Sequence, residues 1–342
     1  MQNPATMDDP VASPNALSAP LISVAPMMDY TDRHCRYFMR LLSPSAVLYT
    51  EMINAAAIVR GAAGRLLQYD AAEHPVVLQL GGSDPTELAA AARVGESFGY
   101  RQINLNCGCP SERVKSGNFG ACLMADPERV ADCVTSMRES VGIPVTVKCR
   151  IAIEPCDFDG GEYDFLLRFV TTVAAAGCKV FVVHARTAVL SGLSPKQNRE
   201  IPPLRYEVVR RLRTDLPNLV FVLNGGIRTS REVAEHLCSF DGVMIGREAY
   251  QNPYWLAELH RNICDPNWEP PTREAVVAKY SAYLQAQIET GANVSVAVRH
   301  VQGLYAGLPG ARAWRRFVGE RCIAGGQPQL LLESLRIVQQ AA

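Results

Sequence analysis

Ile103-Asn104-Leu105-Asn106-Cys107-Gly108-Cys109-Pro110-Ser111 reads as a strand running out into a turn. Ile103 and Leu105 alternate with amides at period two, and Gly108 and Pro110 end the run. The stretch sets a thiol just past a strand's C-terminal end. In a parallel α/β barrel that rim carries the chemistry, so Cys109 is a candidate acid or nucleophile. A half-buried turn residue is the plainer reading of a lone cysteine and stands beside it. Cys107 and Cys109 are too closely spaced for a zinc pair and no second pair follows, so no metal is expected.

Outward from this stretch the same signal recurs. Further strand-like runs are expected at residues 21–27, 46–50, 76–80, 143–148, 180–184, 219–223 and 242–245. Helical segments lie between them. Thr31 is placed to cap the first, and Asp84-Pro85 opens an alanine-rich one ending at Phe98. Eight strand-helix alternations predict an α/β fold, a (β/α)8 TIM barrel. A doubly wound open sheet is the competitor, but no glycine fingerprint follows the first strand. After Cys264 the alternation stops. Asp265–Thr272 carries three prolines and reads as a linker, and the pattern from Arg273 is helical only. The expected organisation is a disordered leader at 1–20, a barrel at 21–264, a linker at 265–272 and a small all-helical domain at 273–342.

A chain of 342 residues, 48% of them hydrophobic, can bury a large core. Its 34 Lys+Arg balance 34 Asp+Glu, so an anionic partner must be met by local clusters rather than by a global field. Eleven scattered cysteines fit a reducing, cytoplasmic location. No apolar run is long enough for a membrane span, and residues 1–20 lack the basic residues of targeting peptides. Residues 273–342 hold eight Lys/Arg against four Asp/Glu, with Arg299, Arg312, Arg315 and Arg316 interleaved with aromatics. Such a face suits phosphates; a solvated basic helix with Trp314 in the core is the alternative.

The strand ends converge on one mouth. Asn224-Gly225-Gly226 and Gly246-Arg247 end the last two strands, and glycine turns there form the usual phosphate site of this barrel. Lys148 and His184 face the same mouth, the first as a nucleophile or a fixed cation. Gln79 and Asn106 offer amides able to read an imide edge. The long loop after the sixth strand adds Arg186, Lys196 and Arg199.

These residues resemble the tRNA-dihydrouridine synthase family, most closely its bacterial A-type subfamily. The matching segments include Ala25-Pro26-Met27-Met28-Asp29, Leu78-Gln79-Leu80-Gly81-Gly82, Asn104-Leu105-Asn106 with Gly108-Cys109-Pro110-Ser111, His184-Ala185-Arg186 and Asn224-Gly225-Gly226-Ile227. The likeness covers residues 22–264 and resumes at Arg299-His300 and Gly310–Arg316. The resemblance implies an FMN enzyme that uses NADPH to reduce uridine in the tRNA D-loop, around positions 20 and 20a. It implies Cys109 as proton donor and flavin contacts at Pro26, Met27, Met28, Gln79, Lys148, His184, Asn224, Gly225, Gly226, Gly246 and Arg247. Asn106, Arg186, Lys196, Arg199, Arg299, Arg312, Arg315 and Arg316 are the expected tRNA contacts, and a monomer is the expected state. A flavin barrel acting on a small pyrimidine, or a non-redox RNA-binding protein, would share parts of this pattern.

Overall fold

A computed structural model describes residues 21–115, 117–155, 161–292 and 297–340; the expected leader at 1–20 lies outside the described residues. Eight short parallel strands form the staves: β1 (Ile22–Val24), β2 (Leu48–Tyr49), β3 (Val76–Gly81), β4 (Ile103–Cys107), β5 (Val145–Arg150), β6 (Val180–His184), β7 (Val220–Asn224) and β8 (Gly242–Ile245). They pair in the order β1-β8-β7-β6-β5-β4-β3-β2. The ring closes between β1 and β2 through Val24 N–H to Val47 O (2.9 Å) and Val47 N–H to Ile22 O (3.1 Å). The fold is therefore the (β/α)8 barrel, with further helices after residue 272.

Period-two alternation sorts each stave between two environments. Ile103, Leu105 and Cys107 of β4 face outward, and so do Val147 and Cys149 of β5 and Phe181 and Val183 of β6. All join one apolar cluster beneath the helices Pro85–Ser97, Pro127–Ser140 and Gly161–Ala175. The opposite parity faces the lumen. Tyr49, Val77, Val180, Val182, Val222 and Met244 fill its floor. Two residues further along several staves the lining turns polar, at Gln79, Asn106, Lys148, His184 and Asn224.

Local chemistry fixes the helix starts. Asp84 caps the helix Pro85–Ser97, with Pro85 in its first turn, as the sequence predicts. For the helix Arg33–Leu42 the cap is Asp32, accepting from Cys35 N–H at 2.9 Å, and not the expected Thr31. The Thr31 hydroxyl is occupied by the preceding turn, accepting from Met27 N–H (2.9 Å) and donating to Met27 O (3.2 Å). Short strands at Ile53–Asn54, and a parallel pair at Ile153–Glu154 and Ala188–Val189, decorate the rim.

The helices after residue 272 pack against the outside of the barrel beside β1 and β8. Val276, Val277, Tyr280, Leu284 and Trp314 share one apolar cluster with Ile22 and Val243 of the staves and with Cys35, Phe38, Met39 and Leu42. Tyr37 stacks on Tyr283 with ring centroids 3.8 Å apart, and Phe38 meets Tyr280 at 5.2 Å. Among the described residues, no helix is long and apolar enough to cross a membrane.

Candidate active site at the barrel mouth

The turn after β4 is built on one side chain. Asn106 Oδ1 accepts from both Gly108 N–H and Cys109 N–H at 3.0 Å, an Asx turn that fixes the backbone of the thiol-bearing residue. A second clasp comes from the Arg150 guanidinium, which donates to Gly108 O at 3.1 Å and to Asn198 O at 3.0 Å. Arg150 is almost fully buried and thereby ties the β4 turn to the loop after β6. Cys109 is half-buried at the mouth, 3.6 Å from the Ser111 hydroxyl, and Lys148, Arg150 and Arg199 all lie within electrostatic reach of its sulfur. Cys107 points the other way, fully buried in the outer cluster, where burial pushes its thiol well above the usual range.

Across the mouth, Lys148 Nζ donates to Asn224 Oδ1 at 3.1 Å, while Asn224 Nδ2 donates to Met244 O at 2.8 Å. Burial lowers the Lys148 ammonium to about 8, and the charge of Arg150 adds to that. Burial also holds His184 well below its ordinary value, followed by the charges of Arg150, Lys148, Arg186 and Arg199. His184 is thus a neutral ring among four cations. Gly225 and Gly226 have φ of 121° and 71°, and a Cβ on Gly225 would come 2.7 Å from His184 Cδ2. Only glycine fits there.

The described donors suit an anion at the ends of β6–β8. Cations gather there with little carboxylate, and Arg186 Nε is buried without a partner. Arg186 otherwise donates to the Pro202 carbonyl. Arg247 begins the short helix Arg247–Gln251 and is paired with Glu200 at 2.6 Å, so a phosphate there would share or displace that carboxylate. A Cβ on Gly246 would lie 4.0 Å from Ala25 Cβ, Pro26 and Met27 are half-buried at the rim, and Met28 is exposed.

Of the expected tRNA contacts, Asn106 and Arg186 lie at the mouth and the other six fall in three further places. Lys196 and Arg199 are exposed on the loop after β6. Arg312, Arg315 and Arg316 are exposed on the helix Ala311–Phe317, whose Trp314 is fully buried against Tyr305. Arg299 is directed back to the barrel, donating to Asp29 O and lying 3.6 Å from Asp32. Here the structure shows a junction that local patterning does not announce. His300 bridges Tyr250 OH and Asp32, each at 3.1 Å, joining the C-terminal segment to the loop after β1. Burial alone would raise the Asp32 carboxyl, but the hydrogen bond and charge of His300 and the Cys35 amide outweigh it and hold Asp32 at about 2. Asp32 and His300 stand far apart in sequence, so their pairing has no periodic signal.

A closed parallel barrel with a polar, cation-lined mouth and a thiol fixed on its rim is the architecture of a (β/α)8 enzyme. The comparisons make this particular. The family model for Dihydrouridine synthase (Dus) matches residues 23–339, and the chain belongs to that family. It is 53% identical over 311 residues to the tRNA-dihydrouridine(20/20a) synthase of Pseudomonas syringae pv. tomato, covering 91% of each chain. It is 51% identical over 318 residues to the enzyme of the same name from Escherichia coli K12, covering 92% of this chain and 91% of the relative.

Proposed function

We propose that the chain reduces uridine to dihydrouridine in the D-loop of tRNA, at positions 20 and 20a, with FMN as cofactor and NADPH as reductant. The observation that carries this reading is the Asx turn holding Cys109 at a mouth lined by Gln79, Asn106, Lys148, His184 and Asn224. The relatives' printed name supplies the substrate and positions. The flavin phosphate would sit at Asn224–Gly226 and Gly246–Arg247 with Arg186, and the ring system over Pro26–Met28, Gln79, Lys148 and His184.

FMN, when bound and reduced, supplies the hydride for carbon 6 of uracil. The chain's own residues do the rest. Asn106 and Lys148 hold the pyrimidine edge, the ammonium countering charge that builds on the carbonyl next to carbon 5. The Cys109 Sγ–H donates its proton to carbon 5, help typically worth about 10²–10⁴-fold. Lys148, Arg150 and Arg199 lie within electrostatic reach of the sulfur that gives up this proton, which solvent at the mouth replaces. The helices of 273–342, through Arg312, Arg315 and Arg316, and the loop bearing Lys196 and Arg199, would hold the tRNA body while the base is extruded. We place the enzyme in the cytoplasm as a monomer. Incubation with unmodified tRNA and NADPH, with dihydrouridine mapped by position, tests the reading. Product at 20 and 20a is expected; reduction of free pyrimidines with tRNA untouched would overturn it.

A further inference from the structure

Below the mouth, a line of buried side chains carries hydrogen bonds in one direction across three staves. Gly108 N–H and Cys109 N–H donate to Asn106 Oδ1. Asn106 Nδ2 donates to Gln79 Oε1 (2.9 Å), Gln79 Nε2 to Asn104 Oδ1 (2.8 Å), and Asn104 Nδ2 to Thr146 Oγ1 (3.0 Å). The Thr146 hydroxyl also accepts from Gln102 Nε2 (3.1 Å) and passes its own proton to Ile103 O (3.1 Å). Both ends are backbone groups whose roles cannot reverse, because an amide N–H only donates and a carbonyl only accepts. The orientation of every amide between them is therefore dictated.

We propose that Asn104 and Thr146 are positioning residues, setting the orientation of the Gln79 and Asn106 amides and, through Asn106, the turn that carries Cys109. This rests on the reading of Cys109 as the proton donor. Asn104 and Thr146 lie further along the line than the Asn106 amide, with exposures of 0% and 1%, and their hydrogen bonds run to Gln79, to each other, to Gln102 and to Ile103 O, so both act through the amides nearer the mouth. Packing does not require either residue to be polar, since valines at positions 77, 180, 182 and 222 fill the same lumen. Loss of the Thr146 oxygen leaves the Asn104 NH2 without its acceptor in a buried site. Turning that amide over sets NH2 against the Gln79 NH2, and Gln79 must follow. The last amide to turn would face its NH2 to the N–H groups of Gly108 and Cys109, opening the Asx turn. Chains of this kind also strengthen cooperatively along their length, so a defect at one end is felt at the other.

The test compares Thr146→Val with Thr146→Ser in the flavin-loaded enzyme, with Cys109→Ala as background control. Thr146→Val is expected to keep fold and flavin and to lower kcat on unmodified tRNA by about 10- to 100-fold, with KM for tRNA within about threefold. Iodoacetamide labelling of Cys109, followed by peptide mass spectrometry, should change in rate by at least about threefold, and Thr146→Ser should restore both readouts, as a hydroxyl role demands. In the Cys109→Ala background Thr146→Val should cost clearly less than it does in the parent, the remainder being the part that acts through the Gln79 and Asn106 amides alone. Parental kcat and labelling rate in Thr146→Val, with Cys109→Ala inactive, would overturn the inference and leave the Cys109 assignment standing. Parental turnover by Cys109→Ala would instead remove the donor reading, and unchanged labelling in Thr146→Val would then remove the positioning role too. If Thr146→Val loses flavin or fold, Asn104→Leu takes its place, with the same labelling result required.

Discussion

The lumen of the barrel and the seam between its first staves and the C-terminal helices are both interior, yet they are built on opposite principles. In the upper lumen, polar side chains satisfy one another: Lys148 with Asn224, Gln79 with Asn104 and Asn106, Asn104 with Thr146. In the seam, Phe38, Met39, Tyr280, Leu284 and Trp314 are buried as hydrocarbon and ring. Buried polar networks add little net stability even when satisfied, whereas apolar burial contributes about 25 cal/mol per Å². The seam contributes through apolar burial, as the larger cluster beneath the helices Pro85–Ser97, Pro127–Ser140 and Gly161–Ala175 does, while the proposed chemistry falls to the mouth of the lumen, where orientation matters more than free energy.

The comparison breaks most visibly if the seam is dispensable. A chain ending at residue 272 exposes Cys35, Phe38, Met39 and Leu42 together, so it is expected to lose soluble yield and its cooperative melt. A fragment melting near the full chain would show that the helices are an appendage. Tyr280→Ala is the graded version. It removes a fully buried ring that stacks on its neighbours and donates to Ala297 O at 3.0 Å, at an expected cost of about 3–5 kcal/mol in denaturant unfolding. A cost below about 1 kcal/mol would place the stability elsewhere.

A pH measurement sharpens the same contrast. His34 accepts from or donates to Tyr283 OH at 2.8 Å in the seam, and burial lowers its imidazole from 6.5 to about 4. Between those values the unfolded chain holds the proton and the folded chain does not, so stability must rise with pH from about 4 to 6.5. His34→Gln should flatten that rise in denaturant titrations, and an unchanged slope would mean that the folded imidazole takes its proton normally. The smallest expected effect on stability is at Arg315 and Arg316, both exposed. Replacing the pair with alanine should leave stability within about 0.5 kcal/mol while weakening tRNA binding and flattening the salt dependence by a little under one unit per lost phosphate contact.

The sequence was legible wherever the controlling contact is local. Alternation in β4 and β5 predicts the staves, and Asp84-Pro85 predicts a helix start, because parity and capping act within a few residues. It was less legible where two local devices compete. Thr31 has the right chemistry for a cap, but its hydroxyl is taken by Met27. It was silent about the seam, since nothing near Tyr280 says that Phe38 is its neighbour. The mouth lies between these cases. The motif stretch marks Asn106, but its grip on the Cys109 amide, and the clasp of Arg150 on Gly108, emerge only when loops from different staves meet.

Placing chemistry in the lumen puts the whole account on one sulfur. The direct measurement is position-mapped dihydrouridine formation on unmodified tRNA by Cys109→Ala and Cys107→Ala, each with flavin content and NADPH oxidation measured alongside. Cys109→Ala is expected to keep its flavin and its reduction by NADPH but to lose about 10²-fold or more of its dihydrouridine formation. Cys107→Ala, which faces the outer cluster, should stay near the parent in turnover and lose only stability. Near-parental product from Cys109→Ala, or loss confined to Cys107→Ala, would contradict Cys109 as the proton donor.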